Sequence, residues 1–290
     1  MHWRIIPILG LLTAIGGCTG PAKPDLSTRP QVSVDPSTVE RWQETDLEAE
    51  TRDEILERVR YYQSITGDDA VVRRARVRES SLLLLLGAAY AESRSEQKDF
   101  YRQAAQSAEQ AMLLDDAFHE ARLAGQSVPA AASGLEPEFF EPLFLWATAV
   151  FYHFRDVASV PERILFNGRL GEAAEAIEVM VRKEPDWYGG SLQFSLGIYY
   201  LSVPEIIGGD REKAGLLMEE AVGMSDKRLL PVWGRAKYLA VALGDKEGFR
   251  KDLQWVLRQD LSEMEGPPVW NRYFQEDARR LLENEDLLFP

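Results

Sequence analysis

Leu86-Gly87-Ala88-Ala89-Tyr90, followed by Ala104, Ala108 and Ala111, and Leu196-Gly197-Ile198-Tyr199-Tyr200, followed by Ala214, Met218 and Ala221, are the stretches that decide the fold. In both, a Leu-Gly pair precedes a tyrosine by three residues, and the glycine stands seventeen residues before the alanine that opens the second set. Small residues at helical spacing on two consecutive segments let two helices approach closely, while the leucine and tyrosine fill the space beside them. Residues 82–116 and 192–226 therefore read as two copies of one helical hairpin.

Working outward, Trp146, Ala149 and Val150 lead to Ala173, Ile177, Met180 and Pro185, and Trp233, Ala236 and Ala240 lead to Phe249, Leu253 and Val256, giving two looser copies. Nearer the start, Ile55, Val59 and Tyr62 share one helix face. Strand signals are scarce: no sustained alternation, and no Asn-Gly or Asp-Gly turn between β-branched runs. The leucine run 82–86 continues into Gly87-Ala88-Ala89-Tyr90-Ala91 without a breaker, so it reads as a buried helix. These are the contact positions of tetratricopeptide hairpins, at a spacing that departs from the regular 34 residues. The fold class expected is all-α, a degenerate solenoid of tetratricopeptide-like hairpins, with an irregular helical bundle as the alternative.

The ends of the chain carry a different message. Arg4 and the apolar run 5–15, too short to span a bilayer, lead to Ile15-Gly16-Gly17-Cys18, which resembles a bacterial lipobox. Residues 1–17 are thus expected to be a lipoprotein signal peptide and Cys18 the lipidation site. Residues 18–40 read as a lipidated flexible tether, with Pro21, Pro24, Pro30 and Pro36 among serine, threonine and aspartate. Residues 41–290 form the helical domain. Cys18 is the single cysteine, so a disulfide within the chain is excluded. Without residues 1–17, 32 basic residues face 47 acidic ones, and a formal charge of −15 disfavours nucleic acid and anionic headgroups. Membrane attachment then falls to the lipid anchor, in the periplasm. Thr19 after the cysteine is similar to the outer-membrane sorting pattern, which favours that membrane over the inner one.

Catalytic chemistry finds little support. His119 and His153 lack metal-ligating partners at i+3 or i+4, no Gly-x-Ser-x-Gly elbow exists, and no thiol remains once Cys18 is acylated. No catalytic set, metal site or cofactor is expected, and the chain reads as a binding protein and not an enzyme. Gly208-Gly209-Asp210 follows no strand and precedes no Lys-Ser pair, so it reads as a tight turn with Asp210 capping a helix from Arg211 to about Met224. Gly87, Tyr90, Gly197 and Tyr200 are packing residues. Phe139, Phe140, Phe144, Trp146, Phe151, Tyr152 and Phe154 crowd sixteen residues, and Trp187-Tyr188 follow Pro185. Core packing accounts for most of these rings. Trp146, Tyr152, Trp187 and Tyr188 are the candidates for a binding surface.

From about residue 143 onward the chain resembles the T-component family of TRAP (tripartite ATP-independent periplasmic) transporters. The resemblance rests on Leu196-Gly197-Ile198-Tyr199-Tyr200, Pro204, Gly208-Gly209-Asp210 and Lys213-Ala214. Tyr188-Gly189-Gly190, Tyr238-Leu239-Ala240 and the closing stretch with Asn271, Arg279, Leu281-Leu282 and Asp286-x-Leu288-Phe289 extend it. Met218 stands where the family carries phenylalanine, and Gly234-Arg235 where it is more apolar. The resemblance implies a lipid-anchored periplasmic helper that binds the transporter's solute-binding protein, the P-component, and shelters a small amphiphilic solute. Self-assembly into a homo-oligomer stays open. The rival is a scaffold lipoprotein for outer-membrane or cell-wall assembly.

Overall fold

The computed structural model describes residues 32–34, 39, 41–159, 162, 167–205 and 208–289. The signal peptide 1–17, Cys18 and most of the tether 18–40 lie outside them. Of that tether, Val32–Ser33 (β1) pairs in parallel with Ile65–Thr66 (β2), and Val39 is buried. Those two residue pairs are the strand content of the described residues, and their other regular elements are helices, so the chain is all-α.

Two helices open the described fold, α1 (Trp42–Leu47) and α2 (Arg52–Ser64). Thr51 caps α2 in a reciprocal box with Glu54, and Ile55, Val59 and Tyr62 form its buried stripe. The leucine run lies in α3 (Asp69–Leu85), as its continuity predicts, and passes into a π turn at Leu86–Tyr90. After α4 (Arg94–Met112), two short helices, α5 (Asp116–Leu123) and α6 (Val128–Ala132), intervene. They are why the spacing between the first two hairpins exceeds 34 residues. Then come α7 (Phe140–Tyr152), α8 (Asn167–Lys183), α9 (Ser191–Ser202) and α10 (Arg211–Met224). The last group is α11 (Leu229–Gly234, prolonged by a π turn to Ala240), α12 (Lys246–Arg258), α13 (Pro268–Glu283) and α14 (Glu285–Leu288).

With the short α5 and α6 set aside, helices that follow one another along the chain pack together: α3 on α4, α4 on α7, then α7, α8, α9, α10, α11, α12 and α13 in turn. A second set of contacts skips one helix, joining α3 to α7, α7 to α9, α9 to α11 and α11 to α13. The skipping helices make an inner wall, with α4, α8, α10 and α12 outside them. Ala104, Ala108 and Ala111 on α4, and Ala214, Met218 and Ala221 on α10, are fully buried where the outer helices meet the inner ones. α13 then turns back on the beginning of the fold. It touches α1, Trp270 Nε1 donates to Ser81 Oγ on α3 at 2.9 Å, and the Arg272 guanidinium donates to the Ala49 carbonyl. The array is thereby closed around its inner face and does not present an open concavity.

The two hairpins that look equivalent in sequence pack differently. A Cβ on Gly197 would lie 3.2 Å from the Ala214 carbonyl and 2.8 Å from Met218 Cγ, so this glycine permits the close approach of α9 and α10. Gly87 instead sits in the π turn with its open side filled by the buried Tyr101 ring. Tyr90 reaches towards the Glu50 carbonyl, whereas the Tyr200 hydroxyl accepts a 2.6 Å hydrogen bond from Lys213 of its own hairpin. At Gly208 φ is +105°, Gly209 lies against the Val203 carbonyl, and Asp210 Oδ1 accepts from the Lys213 amide at 2.9 Å. That turn is the capped reversal its sequence predicts, and α10 begins at Arg211.

Candidate functional site

The inner wall encloses an apolar pocket with an empty volume of about 910 Å³, its open mouth included. From α7 it takes Glu141, Phe144, Leu145, Thr148, Phe151 and Tyr152, at steps of three or four residues, which is one face of a helix. α9 faces it with Ser191, Phe194, Ser195 and Ile198, α3 with Ser81 and Leu84, and α13 with Trp270, Asn271 and Phe274. α7 and α9 run in the same direction, because Phe144 lies 5.4 Å from the Trp187 ring and Phe151 lies 6.4 Å from the Tyr199 ring. Polar groups of the wall are mostly satisfied locally. Ser195 donates to the Ser191 carbonyl, Ser191 to the Tyr188 carbonyl, and Asn271 to the Glu265 carbonyl. Thr148 Oγ1 and, at the rim, Arg228 Nε are exceptions, each buried and without a hydrogen-bond partner among the described residues.

One end is the mouth, where Trp187, Tyr188, Arg228 and Glu265 are half-buried or exposed. Pro185 and two glycines shape the turn that carries the rings. Tyr188 has φ +56°, Gly189 +51° and Gly190 +84°, and Tyr188 is the sole non-glycine residue with positive φ among the described residues. That conformation costs an ordinary side chain about 1 kcal/mol or more and persists where surrounding contacts hold it. Here Trp187 and Tyr188 stack at 4.6 Å, the Arg228 guanidinium lies 4.0 Å above the Tyr188 ring, and Gln193 donates to the Pro185 carbonyl. Arg228 also pairs with Glu265 at 3.2 Å. Burial raises the Tyr188 hydroxyl above its usual range, and the Glu141 charge adds to the rise. The Glu141 carboxyl is itself raised by burial, against the lowering pull of Arg78 and Arg74.

The other end is closed. Tyr152, Phe151, Ile198 and Phe274 are buried there. Behind Tyr152 the Arg155 guanidinium lies 4.4 Å over its ring and pairs with Asp156, which accepts the Tyr101 hydroxyl at 3.0 Å. Burial pushes the Tyr152 hydroxyl up to about 12, opposed by Arg155, so Tyr152 is a neutral floor at any physiological pH.

Of the binding candidates from sequence, the structure brings Tyr152, Trp187 and Tyr188 to one pocket, with the first at its floor and the others at its mouth. Trp146 is fully buried in the core and does not line it. Gly87, Tyr90, Gly197, Tyr200, Gly208, Gly209 and Asp210 all lie in turns and helix contacts away from it, and Cys18 is outside the described residues. Sequence reasoning missed the α13 wall and Arg228. The four-residue step from Trp270 to Phe274 was the available signal, but nothing local says that this stripe returns to meet α3. Among the described residues no helix is long and apolar enough to cross a membrane.

No curated protein matches the chain. The sequence profile of the TRAP transporter T-component family matches residues 87–289, which include α4 to α14 and nearly all of the pocket. The chain belongs to the TRAP transporter T-component family and serves in a TRAP transporter system.

Proposed function

We propose that this chain is the lipid-anchored periplasmic helper of its transporter, that it binds the solute-binding protein, and that its central pocket holds the apolar part of a small amphiphilic solute passing between them. The observation that carries the reading is the pocket itself. Its walls are phenylalanine, leucine and isoleucine, and its mouth is a stacked Trp187-Tyr188 pair beside Arg228, Glu141 and Glu265. Apolar pockets with a few charged groups at the rim suit amphiphiles, because the tail is desolvated while the head stays wet. A strained aromatic turn at the rim is equally placed to meet a partner, since large rings on a rigid turn contribute much contact at little entropic cost. The reading assigns no catalytic residue. A scaffold for envelope assembly, the rival role, has no use for an apolar pocket enclosed by five inner helices.

The test has two arms. Capture on the full chain from detergent-solubilised envelope should recover a TRAP solute-binding protein, and recovery of cell-wall or outer-membrane assembly proteins in its place would favour the scaffold. Cys18→Ser should leave the chain unprocessed or release it from the outer-membrane fraction, and processed chain at the wild-type level in that fraction would remove the anchor from the account.

A further inference from the structure

Arginine crowds a short stretch of α3, where Arg73, Arg74, Arg76 and Arg78 stand close together in a chain whose formal charge is −14. Two of them are neutralised: Arg76 is buried against Glu79 at 2.6 Å, and Arg73 pairs with Glu138 at 3.2 Å. Arg74 and Arg78 form no ion pair or hydrogen bond among the described residues. Their charges reach the Glu141 carboxyl, and that of Arg78 also reaches Asp46, without contact. They stand one turn apart on the same helix face, where like charges repel and lower stability, so packing gives no reason for the pair. Arg74 is exposed and Arg78 half-buried, and both border a groove of about 870 Å³, its open side included, between α1, α3 and the start of α7. Val39, Trp42 and Val77 make its buried apolar base. Glu141 lines both this groove and the mouth of the central pocket, and the Arg78 charge reaches the Tyr188 hydroxyl, so the groove opens beside the Trp187-Tyr188 turn.

We infer that this groove is a docking site for an acidic segment of the solute-binding protein, whose carboxylates pair with Arg74 and Arg78 while an apolar side chain rests on Trp42 and Val77. A guanidinium is a planar fork that holds a carboxylate by two parallel hydrogen bonds, and here two forks have none of their donors engaged. Charge complementarity selects the occupant. Aspartate and glutamate outnumber lysine and arginine by 47 to 33, so the surface at large repels an acidic partner, and two free guanidiniums fix where it settles. The inference rests on the proposed binding of that protein at the aromatic mouth, and it adds the chemistry of the partner's face and the residues that meet it.

Association and dissociation of the full chain with the solute-binding protein of its own transporter, followed by surface plasmon resonance in about 50 and about 300 mM salt, test the groove. Wild type should associate roughly tenfold faster at the lower salt. Arg74→Gln with Arg78→Gln should remove most of that difference and weaken binding by roughly tenfold or more. Helicity should be retained, because neither side chain has a partner to lose. Arg74→Lys with Arg78→Lys keeps the charge without the fork, so association should stay near wild type while dissociation quickens severalfold. Lys251→Gln with Arg258→Gln removes the same charge from the exposed face of α12, away from the groove, and should change binding by less than about twofold. Equal effects of the two glutamine pairs, or wild-type dissociation by the lysine pair, overturn the docking site while leaving partner binding in place. Absence of binding by wild type at both salts overturns the site and the reading beneath it.

Discussion

Replacing Gly87 and Gly197 by alanine, one at a time, should give different results, although the two glycines occupy the same place in the repeated sequence. At Gly87 the new methyl would clash with the edge of the Tyr101 ring. That ring is fully buried, and its hydroxyl donates to Asp156 at 3.0 Å and accepts from Gln97 at 3.2 Å, so moving it strains both bonds. Overpacking of this kind costs about 1–3 kcal/mol. Loosening a hydrogen bond to a carboxylate adds about 1.5–3 kcal/mol. Alanine returns roughly 1 kcal/mol through its better helix propensity. The net loss is about 1.5–5 kcal/mol, which at about 2–4 °C per kcal/mol lowers melting by roughly 3–20 °C, centred near 10 °C. At Gly197 the methyl meets Met218 Cγ at 2.8 Å, which an unbranched side chain can relieve, and the Ala214 carbonyl at 3.2 Å. An overpacking cost of about 1–2 kcal/mol against the same propensity gain leaves Gly197→Ala within roughly 1 kcal/mol of wild type. Thermal unfolding followed by circular dichroism at 222 nm distinguishes the two variants. Equal shifts would show that the π turn and the Tyr101 ring do not constrain Gly87 as described.

Other expectations follow from single residues. The Asp46 carboxyl is buried and raised by that burial to about 6, while its Tyr62 hydrogen bond pulls the other way. Its folded value exceeds the unfolded one, so its contribution is full below about pH 4 and is lost as pH rises towards 6. Stability relative to Asp46→Asn should therefore fall by roughly 3 kcal/mol over that window, read as melting temperature against pH, and a flat difference would contradict the burial. Thr148→Val removes a buried hydroxyl without a partner, so melting should rise by the equivalent of about 1 kcal/mol. A fall would mean that a water satisfies Thr148. Asp277 accepts from Trp233 at 2.9 Å, Lys237 at 2.8 Å and Arg280 at 2.9 Å. Asp277→Ala strands Lys237 and should cost about 3–5 kcal/mol in denaturant unfolding, whereas a loss under 1 kcal/mol would mean that Lys237 reaches water instead.

Much of this architecture is legible along the chain because its signals are local. Ile55, Val59 and Tyr62, the alanines of α4, and Trp233 with Phe249, Leu253 and Val256 all mark buried stripes that the period of 3.6 reveals. The Gly-Gly-Asp turn is equally local, and Asp210 caps α10 as its sequence indicates. What the periodicity leaves hidden is the closure of the array. The Trp270–Ser81 contact joins residues 189 apart in the chain, and no spacing rule anticipates it. The same limit applies to the site. Rings from 139–154 could be recognised as too many for one core, yet their division between core and pocket depends on rotation of α7. Trp146 turned inward and Tyr152 turned to the pocket are indistinguishable by composition. Trp187 and Tyr188 were legible as binding candidates because Pro185 and the two glycines set them in a turn between helices, and the structure has both half-buried at the pocket mouth.

The central claim is that the aromatic mouth meets the solute-binding protein of the transporter. Its most direct test is the dissociation constant between that protein and the full chain, measured by calorimetry for wild type and for the Trp187→Ala, Tyr188→Ala double variant, with melting recorded on the same samples. The account predicts that binding weakens by at least roughly tenfold, about 1.4 kcal/mol, while the helical signal is retained and melting changes little. An unchanged dissociation constant with a lowered melting temperature would contradict it, leaving the two rings as a cap on the core beneath them.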